Sequence, residues 1–256
     1  MASAVANLRN AGNARFNEEA KSWDSRPFVK EASWEAEKAI TPNLKGPAWQ
    51  AKQVLEIGCG TGILSFLIAP HVERLVAIDA ADGMIDMLKQ KLQHDGAPKN
   101  ILPVAVLLED PEDPHLPPVD DAKPDGPRAK FDLILSHLVL HHIPDLESVL
   151  KTMIGCLAPH GRVMLTDFED YGPEARRFHP ESKMEGVARH GINATNMTES
   201  MKGVGFVNVN VAPRWTMKKT VERFPGEFGS AGQPQGDDQG EQKDIPFVVC
   251  YGENPG

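Results

Sequence analysis

The segment Val54-Leu55-Glu56-Ile57-Gly58-Cys59-Gly60-Thr61-Gly62 carries the clearest chemistry in the chain. A short apolar run ending in alternate glycines reads as a strand entering a tight loop, where a ligand can lie directly on the backbone. Glu56, two residues before Gly58, offers an anionic group to a cationic ligand. Asp79 closes a second apolar run, Arg74–Ile78, 21 residues after Gly58. A carboxylate there accepts both hydroxyls of a ribose in dinucleotide folds; the alternative is a cap for the helix that opens over Ala80–Gly83. Ala80 borders the same edge, and Met84 and Ile85 either flank an adenine or fill the core. Nothing near Cys59 stabilises a thiolate, so it reads as a small residue that fits the turn. A dinucleotide would want glycine where Ile63 stands, and Glu56 would oppose a diphosphate. A ligand with a ribose and an ammonium group but no phosphate suits the string better.

The elements that position these residues alternate. Strands are expected at Gln53–Ile57, Arg74–Ile78, Ile101–Leu108, Phe131–Ser136 and Arg162–Phe168. Helices are expected at Ile63–Ala69, Gly83–His94 and Leu146–Leu157, with a turn at Pro159–Gly161. Such alternation implies an α/β fold, a parallel sheet with helices on both faces. A helix at Thr195–Val204, N-capped by Thr195, and strands at Phe206–Val211 and Phe247–Tyr251 complete the pattern; the two strands can pair as a hairpin. Before the sheet, Phe16, Ala20, Trp23, Phe28, Ala32, Ala36 and Ile40 space one or two helices broken near Pro27. Residues 1–12 read as frayed, and Thr41–Pro47 as a linker. Between Glu109 and Arg128 lie six prolines and seven acids, and Pro225–Pro246 is rich in Gly, Gln and Asp. Both read as exposed loop insertions, bounded at 109–130 and 225–246, the second disordered.

With these motifs in place, the chain resembles the class I S-adenosylmethionine-dependent methyltransferases, in the UbiE-like group of small-molecule enzymes. VLEIGCGTG is similar to that family's first motif and LVAIDAADGMIDMLKQK to its second. FDLILSHLVLHHIPD and LAPHGRVMLTDF are similar to the later ones, with His160 where the family usually has glycine. The resemblance implies a single Rossmann-like doubly wound sheet of seven strands, mostly parallel with a reversed last strand. An N-terminal helical cap over 1–47 precedes the methyltransferase domain at 48–256. The implied cofactor is S-adenosyl-L-methionine, with Glu56, Gly58, Cys59, Gly60, Gly62, Asp79, Ala80, Met84 and Ser136 around it. An acid near the adenine falls to Glu109 or Asp110. Ser136 and His137 would border the cofactor's methionine end. The pair Trp23-Asp24 resembles the aromatic–acid start that folds over the cofactor in many such enzymes; packing of a helix on the core is the alternative.

Methyl transfer from a sulfonium is a direct displacement, so a base is needed only where the acceptor must lose a proton. Candidate bases are His137, His141, His142, Asp167, Glu169, His179 and His190, of which His137 is placed nearest the cofactor edge. Trp23, Asp167, Glu169, His179 and His190 are the candidate substrate contacts. Their spacing matches no compact metal motif, and no metal is expected. Lys and Arg number 27 against 36 Asp and Glu, a net charge of -9, which disfavours nucleic acid. No apolar run approaches a membrane span, and no protein partner is evident, which leaves a small-molecule methyl acceptor. The alternatives are a silent methyltransferase-like binding protein and an NAD-dependent oxidoreductase. Three dispersed cysteines suggest a reducing compartment. Cytoplasm is the expected location, with a mitochondrial alternative resting on Arg9 and Arg15 ahead of the first acid, Glu18.

Overall fold

The computed structural model describes residues 2–46 and 49–256, with side chains from residue 13 onward except at 47 and 48. Two helices come first, α1 (Ala2–Trp23) and α2 (Pro27–Ile40). Pro27 opens α2 at its first turn, where the missing N–H costs nothing. A 3-10 turn and a two-stranded ribbon, β1 (Lys45–Gly46) and β2 (Trp49–Gln50), lead to the main sheet.

That sheet contains β3 (Gln53–Ile57), β4 (Arg74–Asp79), β5 (Ile101–Ala105), β6 (Phe131–His137), β7 (Leu157–Phe168), β8 (Val207–Val221) and β9 (Glu241–Glu253). Their order is β5-β4-β3-β6-β7-β9-β8. The β3/β4, β4/β5, β3/β6 and β6/β7 pairs are parallel, and β9 runs antiparallel to both neighbours. The seven strands and the single reversed one match the expected architecture. Four helices connect them: α3 (Ile63–Ile68), α4 (Asp82–Leu92), α5 (Leu146–Cys156) and α6 (Ala194–Gly203).

Successive strand side chains point to opposite faces, so continuous apolar strands feed two cores. Leu55, Ile57, Val76 and Ile78 pack with Leu150 and Met153 of α5 and Met197 and Met201 of α6. Val54, Leu75, Ala77 and Leu133 pack on the other face with Leu64, Ile68, Ile85 and Leu88. Ala36 and Ile40 of α2 belong to this second cluster. The strand order reverses between β3 and β6, the switch point where open α/β sheets bind ligands at their carboxyl ends.

Several boundaries differ from the sequence reading. The first helix begins at Ala2, where a frayed segment was expected. The Thr41–Pro47 linker contains a 3-10 turn and strand β1; its Pro47 lies outside the described residues. Strand β5 stops at Ala105, and the chain to Leu108 continues without regular pairing. Strand β7 absorbs the expected turn, with His160 at φ 60 inside it. The cap of α6 is Asn193, whose side chain accepts from the Asn196 N–H, so Thr195 is helical.

Neither insertion is simply loop. The β8–β9 hairpin extends to Val221↔Glu241, so residues 241–246 are strand where disorder was expected. In the Pro-rich segment, the Arg128 guanidinium donates to the carbonyls of Pro114, Leu116, Pro124 and Gly126. Leu116 joins the core. One buried arginine substitutes for the ladder that prolines cannot form.

Candidate active site

The glycine loop is shaped by backbone demands. Gly58, Gly60 and Gly62 all adopt positive φ, at 74, 54 and 82. A Cβ on Gly58 would lie 2.4 Å from the Val139 side chain, and one on Gly62 2.5 Å from Leu88. The amides of Gly58 and Cys59 both donate to the Ile78 carbonyl, at 2.8 and 2.9 Å. The Asp79 carboxylate accepts from the Gly60 and Ala81 N–H groups, each at 2.8 Å. The two strand ends are thereby fastened together. Burial raises the Asp79 pKa, with the backbone donors pulling the other way.

Glu56 is 2% exposed and accepts from the Ser65 hydroxyl at 2.5 Å. Burial, opposed by that hydrogen bond and abetted by the Asp79 charge, pushes its carboxyl up to about 7. The Cys59 thiol is raised well above its ordinary value by burial and by the two carboxylates, so it stays protonated.

These groups open onto a cavity of about 1520 Å³. Sites for single small ligands usually measure about 300–1,000 Å³, so this one has room for two molecules. Its walls include Glu56, Gly58, Cys59, Gly60, Asp79, Ala80, Met84 and Glu109, together with His137, His179 and Trp23. Other expected residues lie elsewhere. Gly62 starts α3 behind the wall. The Ser136 hydroxyl donates to the Ile57 carbonyl at 2.9 Å, joining β6 to β3 rather than facing the cavity. Asp110 turns away and accepts from the Glu112 amide, which leaves Glu109 as the acid on the cavity side. Glu169 and His190 are not in the wall; Glu169 bridges to Ile192.

The half of the cavity away from the glycine loop is walled by histidines. His137 places Nδ1 2.8 Å from the Thr166 hydroxyl, while its Nε2 is buried without a partner. Burial drops its pKa to about 4, which makes it a weak proton acceptor. Asp167 is fully buried behind the wall and meets His141 Nδ1 at 2.9 Å. His142 Nδ1 meets the Gly186 carbonyl at 2.8 Å.

Helix α1 and its corner form one side of the cavity. A Cβ on Gly60 would sit 3.9 Å from the Trp23 indole nitrogen. Next to it, Asp24 accepts from the Thr61 hydroxyl and from Lys91 at 2.7 Å, and Lys91 also reaches the Thr61 carbonyl at 2.8 Å. Asn17 accepts from the Gly83 amide at 2.8 Å. Across the cavity, Arg15 donates to the carbonyls of Lys183 and Glu185. Sequence reasoning missed Arg15, Lys91 and Lys219. Their partners lie far away in the chain, and lone basic residues carry no local signature. Lys219, from β8, lies over the Phe28 and Phe178 rings at 4.2 and 5.1 Å, and burial pushes its ammonium down to about 8.

A family model described as a methyltransferase domain matches residues 31–211. The chain belongs to the methyltransferase domain family. The enzyme class and the S-adenosylmethionine dependence implied by the sequence resemblance agree with that membership. An uncharacterised methyltransferase of Schizosaccharomyces pombe is 30% identical over 143 residues, 54% of this chain and 47% of that protein. The 27-O-demethylrifamycin SV methyltransferase of Amycolatopsis mediterranei is 26% identical over 218 residues, 80% of this chain and 73% of that one. The chain spans about half the length of the Schizosaccharomyces protein and of several other curated relatives. The solved structure of the YcgJ protein from Bacillus subtilis shares the fold, with a TM-score of 0.63 at 15% identity. That match covers 87% of this chain and 99% of that one.

Proposed function

We propose that this methyltransferase binds S-adenosylmethionine across the glycine loop and methylates a small molecule held against the histidine wall. The observation that carries the reading is the pair of carboxylates on one cavity wall. Asp79, fixed by two backbone donors, fits a ribose diol, and Glu56 fits a cationic amino-acid end. Gly58 and Gly60 line the cavity along the loop, and Ala80, Met84 and Glu109 border the place of the adenine. When bound, the cofactor supplies an electrophilic methyl group for direct displacement. The protein's part is alignment and exclusion of water. Trp23 and α1 cover the loop side, while His137, His142 and His179 face the acceptor. His137 is proposed as a neutral wall for the transfer point, since its protonated form is disfavoured.

The test is calorimetric titration with S-adenosylhomocysteine, followed by a metabolite screen for its release from S-adenosylmethionine. Asp79→Ala should weaken binding by about tenfold or more, through loss of charged hydrogen bonds. His142→Ala should leave it nearly unchanged. Absence of measurable affinity in the parent protein, or equal losses in both variants, overturns the reading.

A further inference from the structure

Three imidazoles on the acceptor side have a geometry that the sequence spacing conceals. One ring nitrogen from each of His141, His142 and His179 lies within 4.8 Å of one on each of the others. His141 and His142 come from the 3-10 turn Leu140–His142, with ring centroids 3.9 Å apart, and His179 follows the turn Pro173–Phe178. All three line the cavity.

Their outer contacts are those of a ligand set. His141 Nδ1 meets both Asp167 carboxylate oxygens, at 2.9 and 3.0 Å. The buried carboxylate is itself fixed by the amides of His141 and Phe168. His142 Nδ1 meets the Gly186 carbonyl. A carboxylate and a carbonyl only accept, so each Nδ1 carries a hydrogen toward its partner and each Nε2 is the nitrogen left to meet an ion. A carboxylate or carbonyl behind the far nitrogen is how metal-binding histidines are held and made more basic. His179 adds a buried Nδ1 with no hydrogen-bond partner.

We propose that His141, His142 and His179 form a binding site for one divalent transition ion of the zinc type, with Asp167 and Gly186 as its outer supports. Three imidazole ligands favour zinc, iron, cobalt or nickel over calcium or magnesium. Three protein ligands leave a coordination position open, as in catalytic zinc sites. Bonds of about 2.0–2.1 Å require the rings to draw in from their present spacing. The ligands line the cavity, so the open position is available to the acceptor; this consequence rests on the methyltransferase reading above. At such an ion an acceptor hydroxyl would release its proton to water more readily, and its oxygen would then take the methyl carbon as the sulfonium C–S bond breaks and S-adenosylhomocysteine leaves. The weakly basic His137 is then not required.

The direct test is zinc titration of the full chain after chelator treatment, by calorimetry and by elemental analysis of the dialysed protein. Cobalt(II) absorption is read in parallel as a signature of imidazole coordination. One ion per chain is expected, with at least a tenfold loss of zinc affinity in His142→Ala and in His179→Ala. S-adenosylhomocysteine affinity should stay within about twofold in His142→Ala, which shows that the variant is folded and separates this proposal from the cofactor reading. Asp167→Asn, which keeps the shape but not the charge, should also weaken zinc, by roughly tenfold. No stoichiometric uptake by the parent protein, or equal uptake by folded His142→Ala and His179→Ala, overturns the site.

Discussion

Glu56 holds a carboxyl where water is scarce and a second carboxylate is close, so its proton leaves only near pH 7. Its folded pKa stands above the ordinary carboxyl value of 4.5. Its contribution to stability is therefore full below about 4.5 and is lost as pH rises through 7. A cationic ligand reverses the preference by favouring the ionised form. Cofactor affinity should then rise roughly eightfold from pH 6 to pH 7.5, and Glu56→Gln should flatten that slope. Calorimetry with S-adenosylhomocysteine at several pH values reads both; an unchanged slope in the variant removes Glu56 from the site. Most residues around this carboxylate were legible because strand end, acid and glycine spacing are local. Ser136 was not: its place at a strand end does not tell which face the side chain takes. Nor could the sequence choose between Glu109 and Asp110, since that depends on where the chain turns after β5.

Among the elements, β7 carries a position at odds with its residue. His160 sits at φ 60, a left-handed conformation that costs a non-glycine residue about 1–2 kcal/mol. His160→Gly should recover about 0.5–1 kcal/mol, less than the full strain because glycine gains freedom in the unfolded chain. Urea unfolding of the two proteins measures it, and a loss of stability would show that the imidazole packing outweighs the strain. The departure from glycine at this position was visible in the sequence, but its conformation was not. The central strands and helices were legible because apolar runs and turn residues mark them. The length of the β8–β9 hairpin was not, because its outer half pairs polar residues such as Lys218 with Asp244 and Lys219 with Lys243. The corner between α1 and α2 was half legible. Trp23-Asp24 stood out, but its anchor Lys91 lies on α4, where it reads as an ordinary surface lysine. Asp24→Ala should free the corner and raise the dissociation rate of S-adenosylhomocysteine several-fold in stopped-flow displacement. An unchanged rate would mean that the corner does not guard the cofactor.

Over the whole molecule, one cavity joins surfaces drawn from nearly every part of the chain. The sheet's switch point supplies the glycine loop, the turn after β6 supplies His141 and His142, and the long β8 supplies Lys219. Topology fixes the first of these, and the first was what the sequence showed. The others depend on how irregular segments cross the strand ends, which no periodicity encodes. The acidic balance of the whole chain therefore misdescribes the histidine wall of the cavity, which Arg15 and Lys219 also line.

Helix α1 reaches both halves of the cavity, through Asn17 on Gly83 and through Arg15 on the backbone after β7. A nucleoside-sized ligand crossing this lining is expected to shift α1, and turnover is then expected to be paced by the helix as well as by the displacement. On that basis steady-state rates should track solvent viscosity, whereas a single turnover from preloaded ligands should not.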